Sequence, residues 1–333
     1  MRVFEFNQQK LYHIITMQSL LQTKEWANLK ESQGWRVHWV DEILVLEKPL
    51  PFGLSFLYTP EVDFFKVNFS TFLPKIKEIS QKSHSIFARL DFLNQKNSLF
   101  GPKIEKILKQ KLFIKSFEEI QPEYRQIVDI TKAEEMILIK MKPKGRYNIK
   151  VAQKSGLVVE KSDPSTSLGT GNIDEFYKIF VETAQRDGFE IRPKKYFQEL
   201  LQILKSAGLA EMLIIRYNGT PVAAGIFTFY KEMASYMYGA SLSEYRNVMA
   251  PYLMHWEAIK LAREKGCKFY DLLAVSPFGS DIDSNLVVKY AGISRFKEQF
   301  GGIKYQTVGS WDLVTKSCWY WLFKIIEKIR RKS

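Results

Sequence analysis

The fold is decided by residues 210–238, which read AEMLIIRYNGTPVAAGIFTFYKEMASYMY. Two apolar runs flank the dipeptide Asn218-Gly219, and such a dipeptide is a strong signal for a two-residue hairpin because both positions adopt positive φ easily. A second turn, at Lys231-Glu232, leads into a third apolar run. The pattern predicts an antiparallel meander with strands at Ala210–Tyr217, Val222–Tyr230 and Ala234–Tyr238.

Helices flank this meander along the chain. One is predicted at Lys194–Ser206, and another at Ala250–Lys265, where Gly266 supplies a usual C-terminal stop. A buried strand at Phe269–Val275 follows. Helix, antiparallel strands, helix and strand succeed one another in the order of an acetyltransferase-like (GNAT) domain, so we expect that architecture here.

The first half of the chain follows the same order of elements more loosely, and a break separates the halves. Residues 162–171 hold the richest run of Ser, Thr and Gly, which is typical of a connecting loop. We therefore predict an α/β (α+β) fold of two tandem GNAT-like domains, whose mixed, largely antiparallel central sheets are flanked by helices. The predicted boundaries are 1–161 and 172–310, followed by a C-terminal amphipathic basic helix at 311–333.

Composition restricts the class of protein and the kind of partner. Hydrophobic residues make up 46% of the 333 residues, and no run reaches the roughly 18 apolar residues that span a bilayer. The first residues do not resemble a secretion signal, so a cytoplasmic protein is expected. Lys and Arg exceed Asp and Glu by 49 to 36, and a net charge of +13 favours an anionic partner: nucleic acid, a phosphorylated substrate or an acidic membrane surface.

Metal chemistry is not expected. The two cysteines and four histidines are scattered without ligand spacing, and the sequence contains no HExxH or CxxC pattern. Two cysteines also cannot form a disulfide framework, which fits a reducing compartment.

Five segments, in order along the chain, resemble the signatures of Fem-type aminoacyl transferases. The longest reads KGRYNIKVAQKSG at residues 144–156, and the others are Gln22–Lys30, Tyr238–Ser241, Tyr270-Asp271 and Phe296–Gly302. The resemblance covers residues 22–302. It implies two GNAT-like domains that move an amino acid from aminoacyl-tRNA, as co-substrate and with no other cofactor, onto the stem peptide of a peptidoglycan precursor. The acceptor is left open between UDP-MurNAc-pentapeptide and lipid II.

The predicted catalytic pair is Lys297 and Phe296. An aminoacyl ester is already activated, so transfer to an amine needs aligned substrates and a positive donor near the carbonyl oxygen rather than a nucleophilic side chain. Lys297 matches the family lysine that is placed there. The alternative interpretation is a solvated lysine beside a core phenylalanine.

The predicted phosphate contacts are Lys30 and Arg192, which match a lysine and an arginine of the family. Tyr196 follows Arg192 by four residues and would share its helical face, and Pro193 is suited to the first helical position. From the residues alone, an exposed arginine and a half-buried tyrosine are an equal alternative.

Two further substrate-binding residues are predicted from the resemblance. Tyr238 alternates with Tyr236 along a strand, so both are expected on one face towards the site. Asp91 resembles a family aspartate near the acceptor, although Phe92 stands where the family usually has proline.

A basic run is the predicted tRNA contact. A helix would place Arg146, Lys150 and Lys154 on one face, which suits phosphate tracking, and Lys144 precedes them. A solvated helix face is the alternative interpretation.

Two segments have open roles. Residues 311–333 combine aromatic and basic side chains, which suggests peripheral contact with the anionic inner face of the plasma membrane; the alternative is a final helix packed on the second domain. Residues 276–289 form either a lid over the acceptor or a surface loop.

Two other functions are weighed against aminoacyl transfer. An acyl-CoA-dependent GNAT N-acyltransferase needs a glycine-rich turn for the CoA pyrophosphate, and the matching segment, Tyr245–Pro251, contains no glycine. A non-catalytic RNA- or membrane-binding Fem-like protein would explain the charge but not the Phe296-Lys297 pair.

Overall fold

The computed structural model describes residues 18–161, 170–278 and 284–330. The chain forms two compact units, one comprising Met1–Glu123 with Gln306–Ser333 and the other Tyr124–Tyr305. The boundaries expected from the sequence, 1–161 and 172–310, differ from these units. Elements between residues 124 and 161 pack in the second unit, and residues from 306 onward belong to the first.

The described residues form twelve strands and ten α-helices, which confirms the predicted α/β class. The strands are β1 (Arg36–Val40), β2 (Ile43–Pro49), β3 (Ser55–Val62), β4 (Ser85–Gln95), β5 (Phe113–Lys115), β6 (Tyr124–Asp129), β7 (Leu157–Lys161), β8 (Ala210–Tyr217), β9 (Thr220–Tyr230), β10 (Met233–Ser241), β11 (Phe269–Ala274) and β12 (Ile303–Val314). The helices are α1 (Lys24–Ser32), α2 (Phe69–Lys82), α3 (Gly101–Gln110), α4 (Glu134–Lys140), α5 (Pro143–Lys154), α6 (Thr170–Asp187), α7 (Lys194–Ser206), α8 (Ala250–Glu264), α9 (Ser284–Lys297) and α10 (Ser317–Arg330).

The first unit is built on a mixed sheet. Its strand order is β1-β2-β3-β4-β12, in which only β3 and β4 run parallel, and β5 pairs with β12. Fully buried aromatic and aliphatic side chains fill its core, including Leu57, Phe72, Phe92 and Trp311. Removal of this apolar surface from water is the main stabilising term.

A buried charge cluster joins distant parts of the first unit. The Arg89 guanidinium on β4 is fully buried and donates to Asp312 on β12, at 2.7 Å and 2.9 Å, and to Glu118 at 2.6 Å. The Tyr320 hydroxyl donates to the same Asp312 carboxylate at 2.8 Å. A buried guanidinium is tolerated only when it is paired in this way, so the cluster fixes the C-terminal segment against β4.

The second unit contains the predicted meander. Its strand order is β6-β11-β10-β9-β8-β7, in which only β10 and β11 run parallel. Asn218 and Gly219 both have positive φ, as the hairpin signal requires, so this prediction is confirmed.

A β-bulge in β10 changes which way its tyrosines point. Tyr236 pairs with Phe227 of β9, whereas Tyr238 pairs with Ile226, so one extra residue lies between the two pairs. Side chains directly opposite each other share a face and successive residues alternate, so the bulge places the two tyrosines on opposite faces of the sheet. The expectation that they share a face is therefore wrong.

The C-terminal segment is not one helix from residue 311. Trp311 to Val314 complete β12, because this stretch pairs with β4 on one side and β5 on the other and buries the Trp311 and Leu313 side chains. The helix is α10, and it packs on β4 of the first unit.

Two other segments expected as loops are partly helical. Residues 170–171 begin α6 and residues 284–289 begin α9, while residues 162–169 and 279–283 lie outside the described part. No helix within the described ranges is long and apolar enough to cross a bilayer.

Candidate active site

Lys297, at the end of α9, is a buried cation in the second unit. Its side chain is nearly inaccessible, with 3% of the residue exposed, and Nζ donates to the Ala274 carbonyl at 2.7 Å. Nζ also lies 5.9 Å from the centre of the Tyr236 ring. Burial lowers the pKa of the ammonium to about 8, and the Asp271 carboxylate opposes that shift. The predicted alternative of a solvated lysine is therefore excluded by the burial.

His255 of α8 lies beside this lysine and was not singled out by the sequence. The residue is fully buried, and its Nδ1 is 2.7 Å from the Tyr270 hydroxyl. Burial lowers the imidazole pKa to about 3, with a further contribution from the Lys297 charge, so the ring is neutral at physiological pH. Its Nε2 has no hydrogen-bond partner among the described residues.

Aromatic rings enclose these two side chains. The His255 ring centre lies 4.4 Å from that of Tyr236, 5.4 Å from Phe296 and 5.0 Å from Phe300. Phe296 also contacts the Tyr252 ring edge-on at 5.0 Å. Phe296 is thus a wall of the Lys297 environment, and the low polarity of this wall explains the lowered pKa of the lysine.

The buried carboxylate of Asp271 opposes the lowering of the Lys297 pKa. Asp271 of β11 is buried and accepts from Arg125 at 3.1 Å and from the Leu273 backbone N–H at 2.7 Å. The Asp271 carboxylate raises the pKa of Lys297, but burial lowers it by more, so the net shift is downward.

The segment after Lys297 is held by the start of α5. The Lys142 amide donates to the Gln299 carbonyl at 3.0 Å, and the Lys142 side chain pairs with Glu298 at 2.8 Å. A Cβ added to Gly145 would lie 2.3 Å from the same Gln299 carbonyl oxygen, a distance that real Cβ atoms do not adopt. Only glycine permits this approach, so the motif at 144–156 positions the backbone that follows Lys297.

The predicted phosphate residues of the second unit form a separate cluster. The Tyr196 and Tyr238 hydroxyls are 3.0 Å apart, and the exposed Arg192 guanidinium lies 5.7 Å from the Tyr196 ring centre. Burial raises the pKa of both tyrosines, so both phenols stay neutral and can donate. Pro193 is the N-cap of α7 rather than its first helical residue, which still leaves Arg192 at a helix N-terminus.

These two clusters lie on different faces of the meander. Tyr236 contacts the Lys297 environment, whereas Tyr238 packs on Tyr196 and Phe197. The structure thus brings Arg192, Tyr196 and Tyr238 together, and Lys297 with Phe296, but it does not place the two groups on one face of β10.

The remaining two predicted substrate residues belong to the first unit. The Lys30 ammonium lies 4.7 Å from the Trp26 ring centre and 5.7 Å from that of Trp35. Asp91 is buried and accepts from the Tyr58 and Ser310 hydroxyls, and burial raises its pKa to about 6.

The predicted tRNA residues lie on α5, and three of the four are open to solvent. Lys144, Lys150 and Lys154 are exposed. Arg146 instead donates through Nη1 to the Met141 carbonyl and, at 3.2 Å, to the Ile139 carbonyl, so it caps the end of α4. Tyr147 lies among the lysines with 66% of its surface exposed.

The FemAB family model matches residues 91–215 and 205–328, which together cover more than half of the chain. The chain belongs to the FemAB family. It is therefore a transferase, and the predicted family and enzyme class are confirmed.

Individual relatives support the same assignment. A lipid II:glycine glycyltransferase of Staphylococcus haemolyticus is 24% identical over 399 aligned positions, covering 93% of this chain and 91% of the relative. The enzyme of the same description from Staphylococcus aureus is 23% identical over 396 positions, with the same coverage. The crystal structure of FemX has a TM-score of 0.77 at 20% identity, covering 95% of this chain and 98% of that one, and this likeness shows a shared fold.

Some features of the site had no local signal in the sequence. His255 lies 42 residues before Lys297 and meets it only through the packing of α8 against β11 and α9. Gly145, by contrast, lies inside the recognised motif, and a glycine in the first turn of a helix could have indicated a close backbone contact.

Proposed function

We propose that this chain transfers an amino acid from aminoacyl-tRNA to the stem peptide of a lipid-linked peptidoglycan precursor. The observation that carries the proposal is the buried Lys297, whose pKa near 8 suits a group that donates a hydrogen bond or a proton to a developing oxyanion. Relatives described as lipid II:glycine glycyltransferases make lipid II the first acceptor and glycine the first amino acid to test.

The chemistry needs no nucleophile from the protein. The neutral acceptor amine attacks the ester carbonyl carbon, and the new C–N bond forms as the carbonyl oxygen gains negative charge. The C–O bond to the tRNA ribose then breaks, the amine loses its proton and the ribose oxygen gains one. Lys297 would stabilise the oxyanion or supply that proton, and the aromatic wall of Phe296 would exclude water that could hydrolyse the ester.

The acceptor diphosphate is assigned to Arg192, Tyr196 and Tyr238; Lys30 of the first unit stays a separate candidate for a phosphate contact. An exposed guanidinium above two neutral phenols offers several donors in a fixed geometry, which suits phosphate oxygens. Asp91 is a weaker candidate for the acceptor amine, because both of its oxygens already accept from side chains in the first unit.

The tRNA is assigned to the exposed face of α5. Lys144, Lys150 and Lys154 would contact phosphates, and the exposed Tyr147 ring would stack on an unpaired base. The other side of α5 contacts Glu298 and Gln299, directly after Lys297. RNA bound to the exposed face of α5 would therefore lie on the same helix that positions the backbone after the catalytic lysine. No cofactor besides the co-substrate is required, and the aminoacyl-tRNA places the reaction on the cytoplasmic side, with peripheral contact at the membrane.

The acyl-CoA alternative has no observation in its favour. The loop before α8 contains no glycine, and Met249 at its end has a left-handed conformation with φ of 56°. Pro251 also removes a backbone donor from the first turn of α8.

The test is a transfer assay with labelled glycyl-tRNA, a mixture of other labelled aminoacyl-tRNAs, and either lipid II or UDP-MurNAc-pentapeptide. We expect label on lipid II, and we expect Lys297→Met to reduce the transfer rate at least about a hundredfold, as loss of an oxyanion donor does. Lys82→Met, which removes an exposed lysine of the first unit, is the matched control. Equal rates for Lys297→Met and the control would refute the role of the lysine, and label on neither acceptor would refute the reaction.

A further inference from the structure

The last helix, α10, has one face packed on the first unit. Tyr320 is buried, and the Phe323 ring lies 5.8 Å from Phe56, 5.3 Å from Phe87 and 6.2 Å from Phe117, measured between ring centres. These contacts, together with the Tyr320 bond to Asp312, fix the rotation of the helix about its axis.

The opposite face of α10 is apolar and open to solvent. Five large apolar residues each keep between 40% and 64% of their surface exposed. At 100° per residue they span an arc of about 160°, and no charged side chain of the helix falls within that arc. The five are Trp319, Trp321, Leu322, Ile326 and Ile329.

Positive side chains border this arc. Lys324 and Lys328 follow one edge, next to Trp321, and Arg330 lies at the other edge, where it pairs with Glu327 at 2.8 Å. Lys324 also lies 5.5 Å from the Phe117 ring centre, so its stem rests on the protein while its ammonium remains exposed. The face is therefore a broad apolar strip with lysines along one side.

We propose that this face of α10 lies on an anionic lipid bilayer, with Trp319, Trp321 and the aliphatic side chains in the interfacial layer and Lys324 and Lys328 against lipid phosphates. Tryptophan and lysine are the residues that bind this boundary, since each combines an apolar body with a polar end. A second copy of the chain is a poorer occupant, because each copy carries the same lysine border and a net charge of +13.

The inference deepens the proposed function, and it rests on it in one respect: the acceptor is lipid-linked and therefore lies at this surface. Membrane contact by α10 would raise the local concentration of that acceptor without altering the chemistry at Lys297. The face and its lysines are all elements of the first unit, so the contact requires no residue of the catalytic environment.

The experiment is flotation of the full chain with vesicles, without any substrate. One set contains phosphatidylglycerol and phosphatidylcholine, and the other phosphatidylcholine alone. We expect binding to the anionic set, a loss of at least about tenfold in Trp321→Glu/Ile326→Glu, and a smaller loss confined to anionic vesicles in Lys324→Gln/Lys328→Gln. The matched control is Leu99→Glu/Leu112→Glu, which places the same charges at two exposed apolar positions of the first unit outside α10.

Three outcomes would overturn the inference. The first is that the wild type does not bind the vesicles, and the second is that the Trp321→Glu/Ile326→Glu variant binds them as well as the control does. The third is that the wild type sediments as a dimer and the Trp321→Glu/Ile326→Glu variant as a monomer. Thermal melts of each variant exclude misfolding as the cause. Transfer onto UDP-MurNAc-pentapeptide is measured in parallel: if vesicle binding behaves as expected but no transfer occurs to either acceptor, the proposed function fails and the membrane surface stands.

Discussion

Replacing Gly145 by alanine should lower the transfer rate far more than it lowers the free energy of unfolding. The new Cβ would lie 2.3 Å from the Gln299 carbonyl oxygen, so the two backbones must separate by about 1 Å to reach ordinary contact. Overpacking of this kind costs about 1–3 kcal/mol, while removing a helical glycine returns about 1 kcal/mol, so the net loss of unfolding free energy is about 0–2 kcal/mol. The displaced segment directly follows Lys297, and a misplacement of about 1 Å lowers the rate about a hundredfold.

The assay compares transfer rate with the free energy of unfolding in urea for the same protein. Gly292→Ala is the control, because Gly292 lies in α9 with Lys297 and a Cβ there would meet nothing within 4 Å. We expect the control to keep its activity and to gain up to about 1 kcal/mol. The reasoning is refuted if Gly145→Ala retains full activity, or if its activity falls only as far as its folded fraction does.

Three other predictions follow from the charged groups. The pKa of Lys297 falls from 10.5 unfolded to about 8 folded, so the folded state binds fewer protons between those values and stability rises with pH across that window. Because Lys297→Met removes this buried charge, the variant should be up to about 3 kcal/mol more stable at pH 7, although it loses the transfer activity. A lower urea midpoint for the variant than for the wild type would contradict this. The pKa of His255 falls from 6.5 in the unfolded chain to about 3 in the folded protein, so the free energy of unfolding of the wild type should decrease as pH falls below 6.5, by up to about 1.4 kcal/mol per pH unit. His255→Gln should show a shallower decrease between pH 7 and 5. If the variant and the wild type lose stability with the same slope against pH, a buried neutral ring is contradicted. Lys150→Gln/Lys154→Gln should reduce the slope of log affinity for tRNA against log salt by about 2, measured by filter binding, whereas the control Lys82→Gln should leave the slope unchanged. If the double variant and the wild type have equal slopes, phosphate contacts by Lys150 and Lys154 are excluded.

Local patterns predicted the elements whose partners are adjacent in sequence. The Asn218-Gly219 hairpin and the helix Lys194–Ser206 lie where the sequence placed them, since turn chemistry and helical periodicity are properties of short segments. The resemblance to Fem-type transferases supplied the family and directed attention to Lys297, which composition alone would have assigned to a solvated surface.

Long-range pairing decided the elements that the sequence did not predict. Trp311–Val314 was expected to be helical, but it is a strand because β4 and β5 pair with it from both sides. The bulge that turns Tyr236 towards Lys297 and Tyr238 towards Tyr196 depends on the register with β9, which is not visible in β10 alone. His255 likewise gains its environment only when α8, β11 and α9 pack together.

The first unit is assembled from two distant pieces of chain, and this affects its synthesis. A ribosome releases the whole of Tyr124–Tyr305 before the strand that completes the first sheet. Until then β4 has an open edge, and Arg89 lacks the Asp312 carboxylate and has only that of Glu118. The nascent N-terminal piece therefore presents an unpaired strand edge, and Arg89 is without one of its two carboxylate partners, for most of translation; open strand edges of this kind favour aggregation. A polypeptide that ends before residue 306 would keep the open edge of β4 permanently, because the partner strand for that edge is never made.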